Sequence, residues 1–109
     1  MSYLKFLNLA QAIRSLPSFP SMDSCEEVLL NTLARKWDVG QQVTVVEAMN
    51  MLPDTSPSTV HRRLKTLRKK KFIALEGDQI DNRIKYVIAT PLSKKYLSKM
   101  EECLVKAVG

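Results

Sequence analysis

The chain has few of the residues that build most catalytic and metal sites. It holds three glycines, one histidine, two cysteines and one tryptophan, and no long uninterrupted apolar run. Three scattered glycines cannot form a glycine-rich phosphate loop. His61, with Cys25 and Cys103 far apart and no C-x-x-C pair, cannot complete a zinc-finger ligand set, so no metal or cofactor is expected. No cluster of paired acids suits general acid–base chemistry, and an enzyme is not expected. Nothing approaches the roughly 20 apolar residues that cross a membrane. The opening "MSYLKFLNLAQAIRSL" contains a signal-like Ala10-Gln11-Ala12. Asn8 and Gln11 interrupt its apolar run, however, and the preceding basic segment is thin, so it reads as a helix. Two remote cysteines fit a reducing cytoplasm, the expected location. Cys103 falls on an apolar helix face and Cys25 just inside a helix cap, where inert thiols are expected.

What is present is a polarised charge. Residues 1–55 hold four bases and six acids, whereas residues 56–109 hold thirteen bases and five acids, within a net charge of +6. A hydrophobic content of 45% with 26% charged residues is that of a folded soluble chain, and 109 residues suit a single domain. The imbalance points to a scaffold in the first half and a polyanion-binding second half. It peaks in "SPSTVHRRLKTLRKKKFI": seven of the eleven residues from His61 to Lys71 are Arg or Lys and none is acidic. Val60, Leu64 and Leu67 keep a helical apolar rhythm through the same stretch.

The elements follow from caps and periods. Tyr3, Phe6, Leu7, Leu9, Ala10, Ile13 and Leu16 cover half of a first helix, and "PSFPS" breaks the chain. Ser24-Cys25-Glu26-Glu27 predicts a capping box opening a second helix, with Val28, Leu29, Leu33 and Trp37 inward and Gly40 as its stop. Thr44-Val45-Val46-Glu47 predicts a short third helix to about Leu52. Pro53-Asp54-Thr55 turns, Ser56 caps, and Pro57 opens the fourth helix where its missing N–H costs nothing. "FIALE" and "KYVIAT", joined by "GDQIDNRI", predict a β-hairpin ended by Pro91. From Leu92 a last helix gathers Tyr96, Leu97, Met100, Cys103, Leu104, Ala107 and Val108 on one broad face. The expected fold is mainly α with a small β-hairpin, in the order α-α-α-α-β-β-α. Its segments are an N-terminal helix and linker over 1–22, a helix-turn-helix over 44–71, a wing over 72–90 and a C-terminal helix over 92–108.

Two short helices joined by a tight turn and followed by a hairpin form a winged helix-turn-helix, whose second short helix enters the major groove of double-stranded DNA. Opposite its core stripe, the fourth helix is expected to turn Ser58, Arg62, Lys65, Thr66 and Lys69 outward. Arg62 suits bidentate contact with guanine, while Ser58, Thr59 and Lys69 suit phosphates or base edges. Ser56, His61, Arg63 and Lys70 complete the DNA-binding set expected on this helix.

"STVHRRLKTLRKKKFI" resembles the recognition helix of the MarR (multiple antibiotic resistance regulator) family, commonly S-T-V-x-R-x-x-x-x-L-x-K-K-G-L-I. "DNRIKYVIATP" is similar to the wing pattern D-x-R-x-x-x-V-x-L-T-P of the same family. The resemblance covers about Thr44 to Leu97. It implies a homodimer that binds a pseudo-palindromic operator and regulates transcription, with Asp81 bracing the wing, Arg83 reaching the minor groove and Lys85 beside it. Three departures stand out: Lys71 and Ser93 occupy positions where the family has glycine, and one C-terminal helix stands where the family continues into a further one. The wide apolar arcs predict a dimer interface of Tyr3, Phe6, Leu7 and Ala10 on the first helix with Tyr96, Met100 and Leu104 on the last. The sequence names no small-molecule effector. Two other uses suit the same parts: a winged-helix module that docks on an acidic protein, and a plasmid or phage replication or partition factor.

Overall fold

Helix boundaries in the computed structural model, which describes residues 1–109, follow the local chemistry of caps. The helices are α1 (Ser2–Arg14), α2 (Ser24–Asp38), α3 (Val45–Met49), α4 (Pro57–Lys69) and α5 (Pro91–Val108). The strands are β1 (Ile73–Gly77) and β2 (Lys85–Ala89), and the order is α-α-α-α-β-β-α. Thr44 caps α3 in a reciprocal box with Glu47, and Ser56 caps α4 by accepting from the Thr59 N–H, with Pro57 at the first helical position. The second helix corrects the expected frame. Its cap is Asp23, paired with Glu26, rather than Ser24 with Glu27. Helix α3 ends at Met49, short of the expected Leu52. Pro91 opens α5 instead of merely closing the hairpin.

The chain divides into two compact units, residues 1–21 with 91–109 and residues 22–90. In the second unit, Leu29, Leu30, Leu33, Val43, Ala48, Val60, Leu64, Leu67, Phe72, Ile73 and Val87 are buried. Val28, expected inward, is 52% exposed. The hairpin is antiparallel, with Leu75 opposite Val87 at its centre. Strand β2 also accepts Val43–Thr44 alongside it: the Val87 N–H donates to the Val43 carbonyl, and Thr44 bridges to Tyr86. The Trp37 indole N–H donates to the Val87 carbonyl at 3.0 Å, so α2 is fixed to the root of the wing.

In the first unit α1 and α5 pack together. Tyr96 sits at the middle of this pair, edge-on to Phe19 with ring centroids 5.4 Å apart, and its hydroxyl accepts from Arg14 Nε at 3.3 Å. Ala10, Cys103 and Ala107 are buried here with it.

Two helices of the second unit end in the same way. In α2 the Gln41 N–H returns to the Lys36 carbonyl and the Gly40 N–H to that of Trp37, with Gly40 at φ +76°. In α4 the Phe72 N–H returns to the Leu67 carbonyl and the Lys71 N–H to that of Arg68, with Lys71 at φ +71°. Both are Schellman closures, and in the second the positions that usually carry a hydrophobic contact hold Leu67 and Phe72, both buried. Only the first carries the glycine that this backbone favours. A Cβ in the left-handed region costs about 1–2 kcal/mol, partly offset in a glycine by its greater freedom when unfolded. Lys71→Gly is therefore expected to stabilise the protein by about 0.5–1 kcal/mol. Urea denaturation checks this, and a loss of stability would contradict the strain.

Candidate nucleic-acid interface

Helix α4 presents three distinct faces. Val60, Leu64 and Leu67 are buried, fixing it to the core. Ser58, Arg62, Lys65 and Lys69, at successive helical turns, are all exposed and form one polar stripe. Arg68 lies exposed beside them, although the sequence reading left it out. With His61, Lys65, Val45, Leu64 and Leu75 it lines a small cleft of about 130 Å³. At the helix start Ser56 Oγ donates to Thr59 Oγ1 at 2.9 Å, and Arg62 Nη2 reaches the same Thr59 oxygen at 3.3 Å. The Ser56–Thr59–Arg62 chain of contacts holds the guanidinium near the N-terminal end of α4.

The third face carries three residues of the expected DNA-binding set that also have partners inside the protein. Arg63, Thr66 and Lys70 lie on the flank that meets the start of α2. Lys70 Nζ donates to both oxygens of Glu26, at 2.8 and 2.9 Å, and Thr66 Oγ1 donates to Glu26 Oε2 at 2.9 Å. Arg63 Nη1 lies 3.3 Å from Asp23 Oδ2. Thr66 and Lys70 are thus turned towards an acidic partner rather than outward. Helical periodicity could place them on a face but could not reveal the carboxylate some forty residues earlier in the chain.

Glu26 is the residue that sequence reasoning missed most clearly; it is only 2% exposed. Burial by itself raises a carboxyl pKa. Here the Asp23 backbone N–H, then Lys70 and Thr66, outweigh it, and the Glu26 pKa is lowered. A lowered folded-state pKa means stabilisation that is present above the unfolded glutamate value, about 4.3, and lost as pH falls towards the folded one. The stability difference between the wild type and Glu26→Gln should shrink on acidification, as measured by urea denaturation from about pH 7 to about pH 3. A constant difference across that range would contradict the assignment.

The wing tip is organised by two aspartates. Asp78 Oδ2 accepts the backbone N–H groups of Ile80 and Asp81, and Asp78 Oδ1 accepts the Tyr86 hydroxyl at 2.9 Å. These bonds, that to the Asp81 N–H foremost, lower the Asp78 pKa. Asp81 accepts a fork from Arg83, with both Nε and Nη2 at 3.0 Å, and also the Arg83 backbone N–H. The Asp81 pKa is lowered by this arginine, and that of Arg83 is raised in return. The Arg83 side chain remains 91% exposed at the end of the hairpin, and Lys85 is exposed at the start of β2. Asp78 was not singled out in the sequence, yet it closes the loop that carries Arg83.

The expected interface between copies divides likewise. Tyr3, Leu7 and Leu104 are exposed, and Phe6 and Met100 are partly so. Ala10 and Tyr96 are buried within the chain and have almost no surface left for a partner. Both cysteines are free thiols, Cys103 buried and Cys25 partly exposed. No helix is long and apolar enough to cross a membrane.

A short helix, a turn, a cationic helix and a two-stranded wing define a winged helix-turn-helix. Comparison with solved structures finds the same fold in known proteins. The heme sensor protein PefR of Streptococcus agalactiae superposes with a TM-score of 0.64 at 24% identity, over 96% of this chain and 65% of that one. The transcriptional regulator Tm0710 of Thermotoga maritima gives 0.66 at 16% identity, over 99% and 68%. The adhesin competence repressor AdcR of Streptococcus pyogenes gives 0.60 at 22% identity, over 97% and 72%. The chain has the winged-helix fold of these solved structures. It spans about two thirds of the length of PefR. No family model and no curated protein matches its sequence.

Proposed function

We propose that this protein is a sequence-specific double-stranded DNA-binding transcriptional regulator of the MarR type that acts as a homodimer. The observation that carries the reading is the exposed stripe Ser58, Arg62, Lys65 and Lys69 on a helix whose opposite face is buried. No acid occurs from His61 to Lys71 to neutralise it. A helix so placed can enter the major groove, with Arg62 near its N-terminal end reading base edges and Lys65 and Lys69 meeting phosphates. Ser56, Thr59 and His61 flank the stripe as phosphate or sugar contacts. Arg83, held out by Asp81, is placed to follow the backbone or the minor groove, with Lys85 behind it. The resemblance of the chain to transcriptional regulators supports the same use.

The dimer rests on exposed apolar surface. Tyr3, Leu4 and Leu7 on α1 are 66%, 53% and 39% exposed, and Leu104, Val105 and Val108 on α5 are 52%, 62% and 68% exposed. Apolar residues gathered on a helix pair in this way favour association between copies. Sedimentation equilibrium at micromolar concentration should give a dimer, and duplex affinity should fall steeply as salt is raised. A monomer with and without DNA would remove the dimer, and salt-insensitive binding would remove the DNA reading.

A further inference from the structure

Asp23 and Glu26 each carry out two tasks at once. As a capping box they close the N-terminus of α2: Asp23 Oδ1 accepts the Glu26 N–H at 2.7 Å, and Glu26 Oε1 accepts the Asp23 N–H at 3.0 Å. The remaining carboxylate capacity is spent on α4. Asp23 Oδ2 faces Arg63, while both Glu26 oxygens take Lys70 and one also takes Thr66. Arg63, Thr66 and Lys70 stand at i, i+3 and i+7, one line along the flank of the helix. Any rotation of α4 about its axis, or sliding along it, would break the Glu26 contacts first, because that carboxylate is buried and its geometry is fixed by its own cap.

We propose that Asp23 and Glu26 are positioning residues for the DNA-reading helix, setting the rotation at which Arg62, Lys65 and Lys69 meet the groove. This rests on the DNA-reading assignment given to α4 above. The two acids differ in weight. Asp23 and Arg63 keep 43% and 40% of their side chains exposed, although Arg63 Nε is itself buried, and pairs open to solvent to this degree hold loosely, so Asp23 guides. Glu26 is nearly inaccessible while Lys70 keeps 30% of its side chain exposed, so the charge is buried on the α2 side and Glu26 holds. Lys70 is accordingly a counter-ion within the protein and not a phosphate contact.

The test compares the full-length wild type with Glu26→Gln, Lys70→Gln and the double variant. Specific and non-specific duplex affinities, salt slopes and thermal midpoints are measured for each. Glu26→Gln can keep the cap through its one oxygen, with its amide N–H donating to Thr66 Oγ1 where the carboxylate accepted, but it loses the charge, and it should lower the ratio of specific to non-specific affinity about tenfold. Lys70→Gln replaces a partly exposed side chain and should fold; it should lower the same ratio while leaving the salt slope unchanged. The double variant puts two amides in contact and should recover part of the ratio. An unchanged ratio alongside a lower thermal midpoint in both single variants would reduce the clasp to a stabilising contact and overturn the proposal. So would a salt slope flattened by about one unit in Lys70→Gln, which is the signature of a lost phosphate contact. A wild type with no sequence preference would overturn the DNA-reading assignment itself, a failure visible before any variant is made.

Discussion

Arg62→Ala is expected to cost about 1–3 kcal/mol at the best DNA site and to blur the base preference there, with little loss on other sequences. The guanidinium is exposed, sits near the N-terminal end of α4 and is directed by Thr59, which Ser56 in turn orients. Arginine offers the planar fork that matches O6 and N7 of guanine, and Arg62 is the one guanidinium on the exposed stripe. Lys69 is a turn or more farther along the helix and presents a point charge. Lys69→Ala should weaken binding to all sequences alike and flatten the salt dependence by about one unit. Competition titrations of both variants against specific and random duplexes separate the two effects. A uniform loss in Arg62→Ala would assign that residue to the backbone class.

The largest effect on stability is expected at Phe72. It is fully buried and follows the left-handed Lys71, and its own N–H closes the end of α4 on the carbonyl of Leu67, which is buried as well. Phe72→Ala removes a large aromatic side chain and leaves a cavity at the junction of α4 with the wing. The expected loss is about 3–5 kcal/mol. Against a total of about 5–15 kcal/mol for an ordinary domain, that is a large share of the folding free energy. The melting midpoint should fall by at least about 10 °C, as read by circular dichroism. A loss under about 1 kcal/mol would show that the junction repacks and that the closure of α4 does not depend on this ring.

The sequence disclosed what local chemistry decides. Ser56-Pro57 and the Thr44–Glu47 box placed two helix starts, Gly40 placed a helix end, and the β-branched runs after Lys71 placed the wing. The start of α2 shows where local chemistry is ambiguous. "DSCEE" holds two overlapping boxes, Asp23 with Glu26 and Ser24 with Glu27, and local preference separates them weakly. The first frame lets the box glutamate serve Lys70 and Thr66 as well, a benefit that only the folded chain displays. For the same reason the sequence could place Thr66 and Lys70 on a helix face but not show that both reach Glu26, some forty residues away. At Lys71, where the resembling family has glycine, the sequence left open whether the residue is strained or the helix ends differently; the Schellman closure, with Lys71 at φ +71°, shows the first.

Selection of bound duplexes from a fully random pool by the wild-type protein asks whether α4 reads base sequence. A homodimer that reads the major groove through α4 should enrich one site with two related half-sites, a full helical turn or a whole multiple of it apart, and guanine at the position that Arg62→Ala subsequently blurs. Recovery of a pool as random as the input, at a salt concentration where binding is measurable, would contradict it.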